Sequence, residues 1–442
     1  MSTFKITLIS IFAACIVIGI IVFAMQKSSG SIGHADLVIW GTIPQDTFSA
    51  AYNASTIHDN KNVTIAYVQK NKSTFDADFV QALADGKGPD IVLLRDDLVY
   101  KERNRLFPIP FTNFSERTFK DTFIQEGEMF VTPKGILAVP FIVDPLVMYW
   151  NRDLFSNNLI SLPPKYWDQF TDSKSISGGQ TGLISSITRK DTNANITQSA
   201  LALGQWDNIS NSKEIITTLL LQAGTPISAR NPEGNVFSAL NTNPTEEPLD
   251  PATTAMNFYT QFSNPTSPVY TWNASLPTSL NFFLSGNLAT YFGFASELFD
   301  IQQKNPNLNF DVTYMPQIRP LGSQTGKQKV TGHIYSFSIV KQSKSISAAF
   351  TAITSFVEPA ALKNVDAITN LPPVRRDMLA SKPTNPYQVV FYNSALISSG
   401  WIDPDNDASN KIFRAMIQSI NNGSARVSEA IIRAQDSLSL LY

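Results

Sequence analysis

The 442-residue chain holds a single cysteine, Cys15, so no intrachain disulfide can form and a cysteine-based metal cluster is excluded. It has three histidines, His34, His58 and His333, little raw material for a histidine-rich metal site or a histidine-centred triad. The GxSxG nucleophile elbow, the HExxH zinc motif, the GxGxxG dinucleotide fingerprint and the P-loop are all missing. These absences weigh against the familiar enzyme classes, and no cofactor or metal is implied. Charge is also scarce. Charged residues make up 16% and the formal net charge is −2, so the basic field that nucleic acid requires is not there.

What the chain does have is length and aromatic surface. At 442 residues it is too long for a typical single core and suits two lobes. Aromatics at 11% are enough to fill two cores and leave some to line a cleft. Asn, Ser and Thr are plentiful, and their short polar side chains suit turns, caps and hydrogen-bonding pockets.

Residues 6–25 (ITLISIFAACIVIGIIVFAM) form an uncharged run of the length that spans a bilayer as a helix. A Ser/Gly stretch at 28–33 follows as a leash. Phe12-Ala13-Ala14-Cys15 resembles a lipoprotein cleavage box, in which Cys15 would carry lipid. Apolar residues continue well past Cys15, however, and this favours an uncleaved anchor. Either reading attaches residues 1–34 to the cell membrane and puts the remainder outside the cytoplasm.

Downstream, short apolar runs at 37–41, 63–68 and 90–94 read as strands, separated by helical stretches at 46–54 and 75–84. Strand–helix–strand alternation predicts a parallel α/β sheet, with ligands beyond the carboxyl ends of its strands, near 41–45 and 95–97. The stretch 135–155, GILAVPFIVDPLVMYWNRDLF, reads as two strands, 136–140 and 146–150, interrupted by Asp144-Pro145. Residues 195–265 read as mostly helical, including 199–203, 213–223 and 251–262. Strands are expected at 287–292, 310–315 and 334–340, and helices at 279–284, 295–304, 345–357, 409–421 and 427–440.

Five stretches then carry a resemblance. They are LVIWG (37–41), QALADGKGPDIVLL (81–94), the 135–155 stretch with PPKYWDQF (163–170), FLSGNLATYFGFASELFDI (283–301), and the run from FDVTYMPQI to SIVKQS (310–343). In this order they resemble the sugar-binding group of extracellular solute-binding proteins of ABC importers, typified by maltose-binding protein. The resemblance covers nearly everything after residue 35. It implies a two-lobed periplasmic-binding-protein fold of type II, with ligand trapped in a cleft by hinge closure, and delivery to an ABC permease. It places lobe one at 35–142 plus 314–371, and lobe two at 143–313 plus 372–442, with crossovers near 142, 313 and 371.

On this resemblance Asp144 lies in the first hinge, at the mouth of the cleft, where a carboxylate can accept hydroxyl or amide hydrogen bonds. The plainer reading is a turn cap before Pro145. Asp96 and Asp97 follow a strand end where family members place cleft-facing polar groups, and Gln45 sits at the first-strand contact. Phe294 is the aromatic nearest to the family's sugar-stacking tryptophan, with Glu297 after it. Trp272 and Trp401 sit in loops, as packing or as binding platforms. His333 reads as a structural donor, and Asn151-Arg152-Asp153 as a structural turn. Asp403-Pro404-Asp405-Asn406-Asp407 resembles half a calcium loop, but Ala408 stands where glycine is needed, so a helix N-terminus is the better reading. Leu94 and Leu98 stand where maltose-binding protein has tryptophan and arginine, which argues against long glucans. A small sugar or oligosaccharide is the expected ligand, and peptides or cationic solutes are the alternative. A sensor or surface-attachment protein on the same fold is a second expectation. A glycoside hydrolase using two of Asp96, Asp97, Asp144 and Glu297 is a third.

Overall fold

The computed structural model describes residues 34–171, 182–242, 250–320 and 328–442. The apolar run at 6–25, with Cys15, and the leash at 28–33 lie outside the described residues. Among the described residues, no helix is long and apolar enough to cross a membrane.

Ten strands join in one sheet: β1 (Ala35–Gly41), β2 (Val63–Gln69), β3 (Ile91–Arg95), β4 (Leu106–Phe107), β5 (Val139–Asn151), β6 (Arg189–Lys190), β7 (Ile196–Leu201), β8 (Leu288–Phe294), β9 (Phe310–Thr313) and β10 (Gly332–Val340). Their order is β2-β1-β3-β10-β5-β8-β7-β6, with β4 beside β10 and β9 beside β5. As expected, β1, β2 and β3 are parallel, and helices Gln45–Asn53 and Phe75–Ala84 connect them. The second helix buries Phe75, Phe79 and Leu83, which lie on one face at helical spacing. Ile91–Leu94 is buried on both faces of β3, which is why the sequence there is continuously apolar rather than alternating.

β5 joins the two halves of the molecule. Its first part, from Val139 to Pro145, pairs with β10; its second part, from Leu146 to Asn151, pairs with β8 and β9. The change of partner falls at Pro145, which has no N–H to give to a ladder. Leu146 then donates to the Thr331 carbonyl at 2.9 Å, and the Pro145 carbonyl accepts from Ala295 at 3.0 Å. The molecule is therefore two-lobed, one lobe built on β1–β3 with β10 and the other on β7 and β8, and β5 serves both.

Alternation along β5 works as the sequence suggests. Tyr149 is fully buried and donates its hydroxyl to the Phe294 carbonyl at 2.7 Å, whereas Trp150 packs edge-on against Phe155 nearer the surface. Asn151 caps the helix Arg152–Asn157, accepting from the Asp153 and Leu154 amides. The reading of 195–265 as mostly helical fails at two places, one of them the paired strands Ser228–Arg230 and Val236–Ser238. Residues 199–203 are not helical; Ser199 and Leu201 lie in β7, paired in parallel with Leu288 and Thr290 of β8. The segment is buried on both faces, where an apolar run has no period that separates strand from helix. The helix expected at 409–421 begins earlier, at Asn406, because the Asp405 carboxylate caps it by accepting from the Ala408 amide at 2.9 Å.

Candidate functional site: a cleft between the lobes

Strand direction builds the site. β3 ends at Arg95, followed by Asp96 and Asp97. β10 runs antiparallel to β3, so its beginning, Gly332-His333, lies beside that end. In β5, Asp144 stands directly opposite His333, and β8 finishes at Phe294 just across the change of partner. The helix Ser212–Ala223 brings Lys213 and Glu214 from the second lobe, and the segment before Asn406–Asn421 brings Trp401 and Asp403. The result is a seam of polar side chains between the lobes.

His333 is at its centre. Its Nδ1 lies 3.2 Å from an Asp96 oxygen and its Nε2 lies 3.6 Å from a Glu214 oxygen. The ring stacks on Phe294 with centroids 4.6 Å apart and planes at 25°. Burial opposes a charge on this imidazole, but the two carboxylates overcome it and hold its pKa above the ordinary value. The histidine read as a structural donor thus bridges the two lobes.

Around it, charges are matched inside the protein. Arg95 grips Asp97 through both carboxylate oxygens, with Nε 3.0 Å from Oδ1. Burial penalises the Asp97 charge, yet Arg95 keeps its pKa below the usual carboxylate range. Lys213 is buried against Asp403 and also donates to Ser409 Oγ at 2.7 Å and Asn406 Oδ1 at 3.0 Å. Asp144 accepts from the Ser296 amide at 2.9 Å and its hydroxyl at 2.6 Å, tying the residue before the Pro145 change of partner to the end of β8. Burial raises its pKa, against the pull of those two hydrogen bonds. Glu126, deeply buried, accepts from Ser398 Oγ and the Gly332 amide, and burial pushes it up to about 7.

The other expected site residues are placed differently. Glu297 turns back into its own lobe, where it accepts from Tyr291 Oη, the Phe294 amide and Asn211 Nδ2, and burial raises its pKa. Gly293 makes this possible, because a Cβ there would come within 2.5 Å of the Tyr291 ring and 3.1 Å of the Glu297 carboxyl. Trp272 is wholly buried, donates its indole N–H to Asn208 Oδ1 at 3.1 Å, and stands in the core away from the seam. Gln45 is exposed at the start of its helix, its amide donating to Gln69 Oε1. Trp401 stands at the seam. Asp96, Asp97, Asp144, Phe294 and Trp401 are thus brought together, while Glu297, Trp272 and Gln45 are not. Arg95, Glu126, Lys213 and Glu214 join the seam with no motif to announce them; Arg95 precedes Asp96-Asp97, Glu126 lies between Gln125 and Gly127, and Lys213 and Glu214 are neighbours after Ser212, so each reads locally as an ordinary surface charge.

Two cavities flank the seam. One, of about 240 Å³, is lined by Glu126, Met129, Ser228, Arg230, Gly400 and Trp401. The other, of about 190 Å³, is lined by Lys72, Phe75, Arg95, Asp97, Tyr335 and Asn406. Both draw residues from the two lobes, the arrangement in which a solute can be held by both at once. Among the described residues no cluster of His, Cys, Asp and Glu has the geometry to hold a metal ion.

Comparison with known proteins places this architecture. Residues 47–389 match the model of the family described as bacterial extracellular solute-binding protein. The fold is similar to that of a cyclo/maltodextrin-binding protein complexed with maltotetraose, at 15% identity and a TM-score of 0.69 over 91% of this chain and 96% of that one. It is similar to a cyclic α-maltosyl-1,6-maltose binding protein from Arthrobacter globiformis, at 16% identity and a TM-score of 0.71 over 92% and 99%. It is also similar to the GacH receptor of Streptomyces glaucescens, solved unliganded and with acarbose, at 16% identity and a TM-score of 0.64 over 92% and 98%. A search of curated protein sequences finds no match. At such identities the likeness to solved structures speaks for the fold. The family match, covering most of the chain, carries the assignment: the chain belongs to the bacterial extracellular solute-binding proteins.

Proposed function

We propose that this protein captures a small sugar or oligosaccharide outside the cytoplasm and delivers it to an ABC permease. The observation that carries the reading is the seam itself. Hydrogen-bonding and aromatic side chains from both lobes meet at the carboxyl ends of strands, beside cavities large enough for a sugar ring. Similar folds bound to maltotetraose and to mannobiose support the choice of ligand class. In this reading the lobes are 35–142 with 314–371 and 143–313 with 372–442. The first hinge is the Pro145 change of partner in β5, close to the expected crossover. Open and closed arrangements differ by a few kcal/mol, and a ligand touching both lobes shifts the population to the closed one. Residues 6–25 hold the protein at the membrane and raise its effective concentration near the permease. No covalent chemistry is involved.

The test is calorimetric titration of neutral and acidic mono- and oligosaccharides, followed by small-angle scattering at saturation. A carbohydrate that binds and reduces the radius of gyration supports the proposal. A chain that binds no carbohydrate, or whose radius is the same with and without one, refutes it.

A further inference from the structure

The 240 Å³ cavity contains a cation that has no counter-ion among the described residues. Arg230 ends the short strand Ser228–Arg230, which pairs with Val236–Ser238 in a two-stranded sheet of the second lobe. Its guanidinium is half-buried. Nη1 donates to the Gly234 carbonyl and Nη2 to the Met129 carbonyl, each at 3.2 Å. A guanidinium has five N–H donors in a flat fork, so most of this one is unused. Among the described residues no carboxylate lies within ion-pair distance of it, although Arg95 and Lys213 nearby are matched with Asp97 and Asp403. Burial lowers the Arg230 pKa, and only the Tyr100 phenol opposes this.

The two acids on the same cavity wall do not serve it. Glu126 is held by Ser398 and Gly332, and Glu128 lies 4.0 Å from Arg376. A partly buried charge is normally paired, because desolvation is costly otherwise. Here Arg230 lines a cavity together with Trp401 and Ser228, whose hydroxyl oxygen also accepts from the Ile402 amide at 2.9 Å. An aromatic platform and a hydroxyl suit a sugar ring, and a free guanidinium edge suits a planar carboxylate held by two hydrogen bonds.

Resting on the sugar-capture reading, we infer that the ligand is a sugar bearing a carboxylate, a uronic-acid residue, with Arg230 as its counter-ion and Trp401 as its platform. Carboxylate is chosen over sulfate or phosphate because the cavity wall offers one planar fork rather than a cluster of cations.

The experiment titrates the full-length chain in detergent, at low salt, with galacturonic acid, digalacturonate, galactose, digalactose and galactose 6-sulfate. An acidic sugar should bind about tenfold or more tightly than its neutral parent, the size expected of charge-assisted hydrogen bonds. Arg230→Met should abolish that preference while the protein still melts in one cooperative transition, its midpoint lowered by loss of the bonds to Gly234 and Met129; Arg230→Lys, which keeps charge but not the fork, should retain only part of it. Neutral sugars binding as well as acidic ones would overturn the inference and leave sugar capture standing. So would a preference that survives in Arg230→Met, or the sulfate ester binding best. If no sugar binds, both fall. Binding of a plain dicarboxylate such as succinate, lost in Arg230→Met, would keep the anion site and remove the sugar.

Discussion

Consider Lys213→Met. The Lys213 ammonium contacts Asp403, Ser409 and Asn406, and so fastens the start of the helix Ser212–Ala223 to the start of Asn406–Asn421. Both charged side chains are almost completely buried, at 7% and 4% exposure, so solvent screening gives little relief. Removing the lysine leaves Asp403 buried, with only the Ser409 hydroxyl and the Asp405 amide as donors. Breaking a buried pair in this way costs about 3–5 kcal/mol, most of it the penalty of the charge left behind. The size of the loss should depend on pH. Burial already raises the Asp403 pKa, and without Lys213 it rises further. A carboxyl raised in the folded state destabilises at pH values above its folded pKa and ceases to do so once protonated. The deficit should therefore be full at pH 8 and should shrink towards pH 5. Replacing both partners, as in Lys213→Met with Asp403→Leu, should recover most of the loss, since no charge is then stranded. Guanidinium denaturation across this pH range reads all three values. A loss below about 1 kcal/mol, a deficit that does not change with pH, or a double variant as unstable as the single one would refute the account of a matched buried pair.

Further expectations concern the seam and its neighbours. His333 has a raised pKa, so the stability it gives with Asp96 and Glu214 is complete below about pH 6.5 and is lost as pH rises through the folded value. Glu126, raised to about 7, adds a loss of the same sign as it ionises in its buried site. Melting temperature should thus fall from pH 6 to pH 8, and His333→Gln and Glu126→Gln should each flatten the profile; an unchanged profile in both would contradict the geometry. Gly293→Ala should cost about 1–3 kcal/mol by overpacking against Tyr291 and Glu297, measured by thermal unfolding. Trp272→Phe forfeits the bond to Asn208 and should lower stability by roughly 1 kcal/mol without touching ligand affinity. Trp401→Ala should weaken sugar binding by about 1–2 kcal/mol in calorimetry and, because the ring is largely buried against Phe413, should also lower stability by about 3–5 kcal/mol.

The contrast between Trp272 and Trp401 shows where sequence reading stops. Both are indoles in loops, and nothing local distinguishes the one whose N–H meets Asn208 in the core from the one that faces a cavity. The strands and helices were legible because periodicity and caps are local signals: Phe75, Phe79 and Leu83 on one face, or Asp405 before Asn406–Asn421. Residues 199–203 read wrongly as helix because burial of every side chain from Ser199 on erases the period that local reading needs. The carboxylates divide in the same way. Asp96 and Asp97 follow a strand end, which the pattern predicts, whereas Asp144 lies inside β5 and is placed by the family resemblance alone. Glu297 could not, since its direction is decided by Tyr291, Gly293 and Asn211, and the pairing of Asn211 with it spans 86 positions. His333 is the clearest case. A lone histidine at the start of a strand looks bland until the fold sets Asp96 on one side, Glu214 on the other and Phe294 against its face. A residue's chemistry in this cleft is set by partners far away in the chain and from either lobe. The seam that joins the lobes is therefore the part of the protein that a linear reading recovers least, and it is also where the buried, mutually matched charges are found.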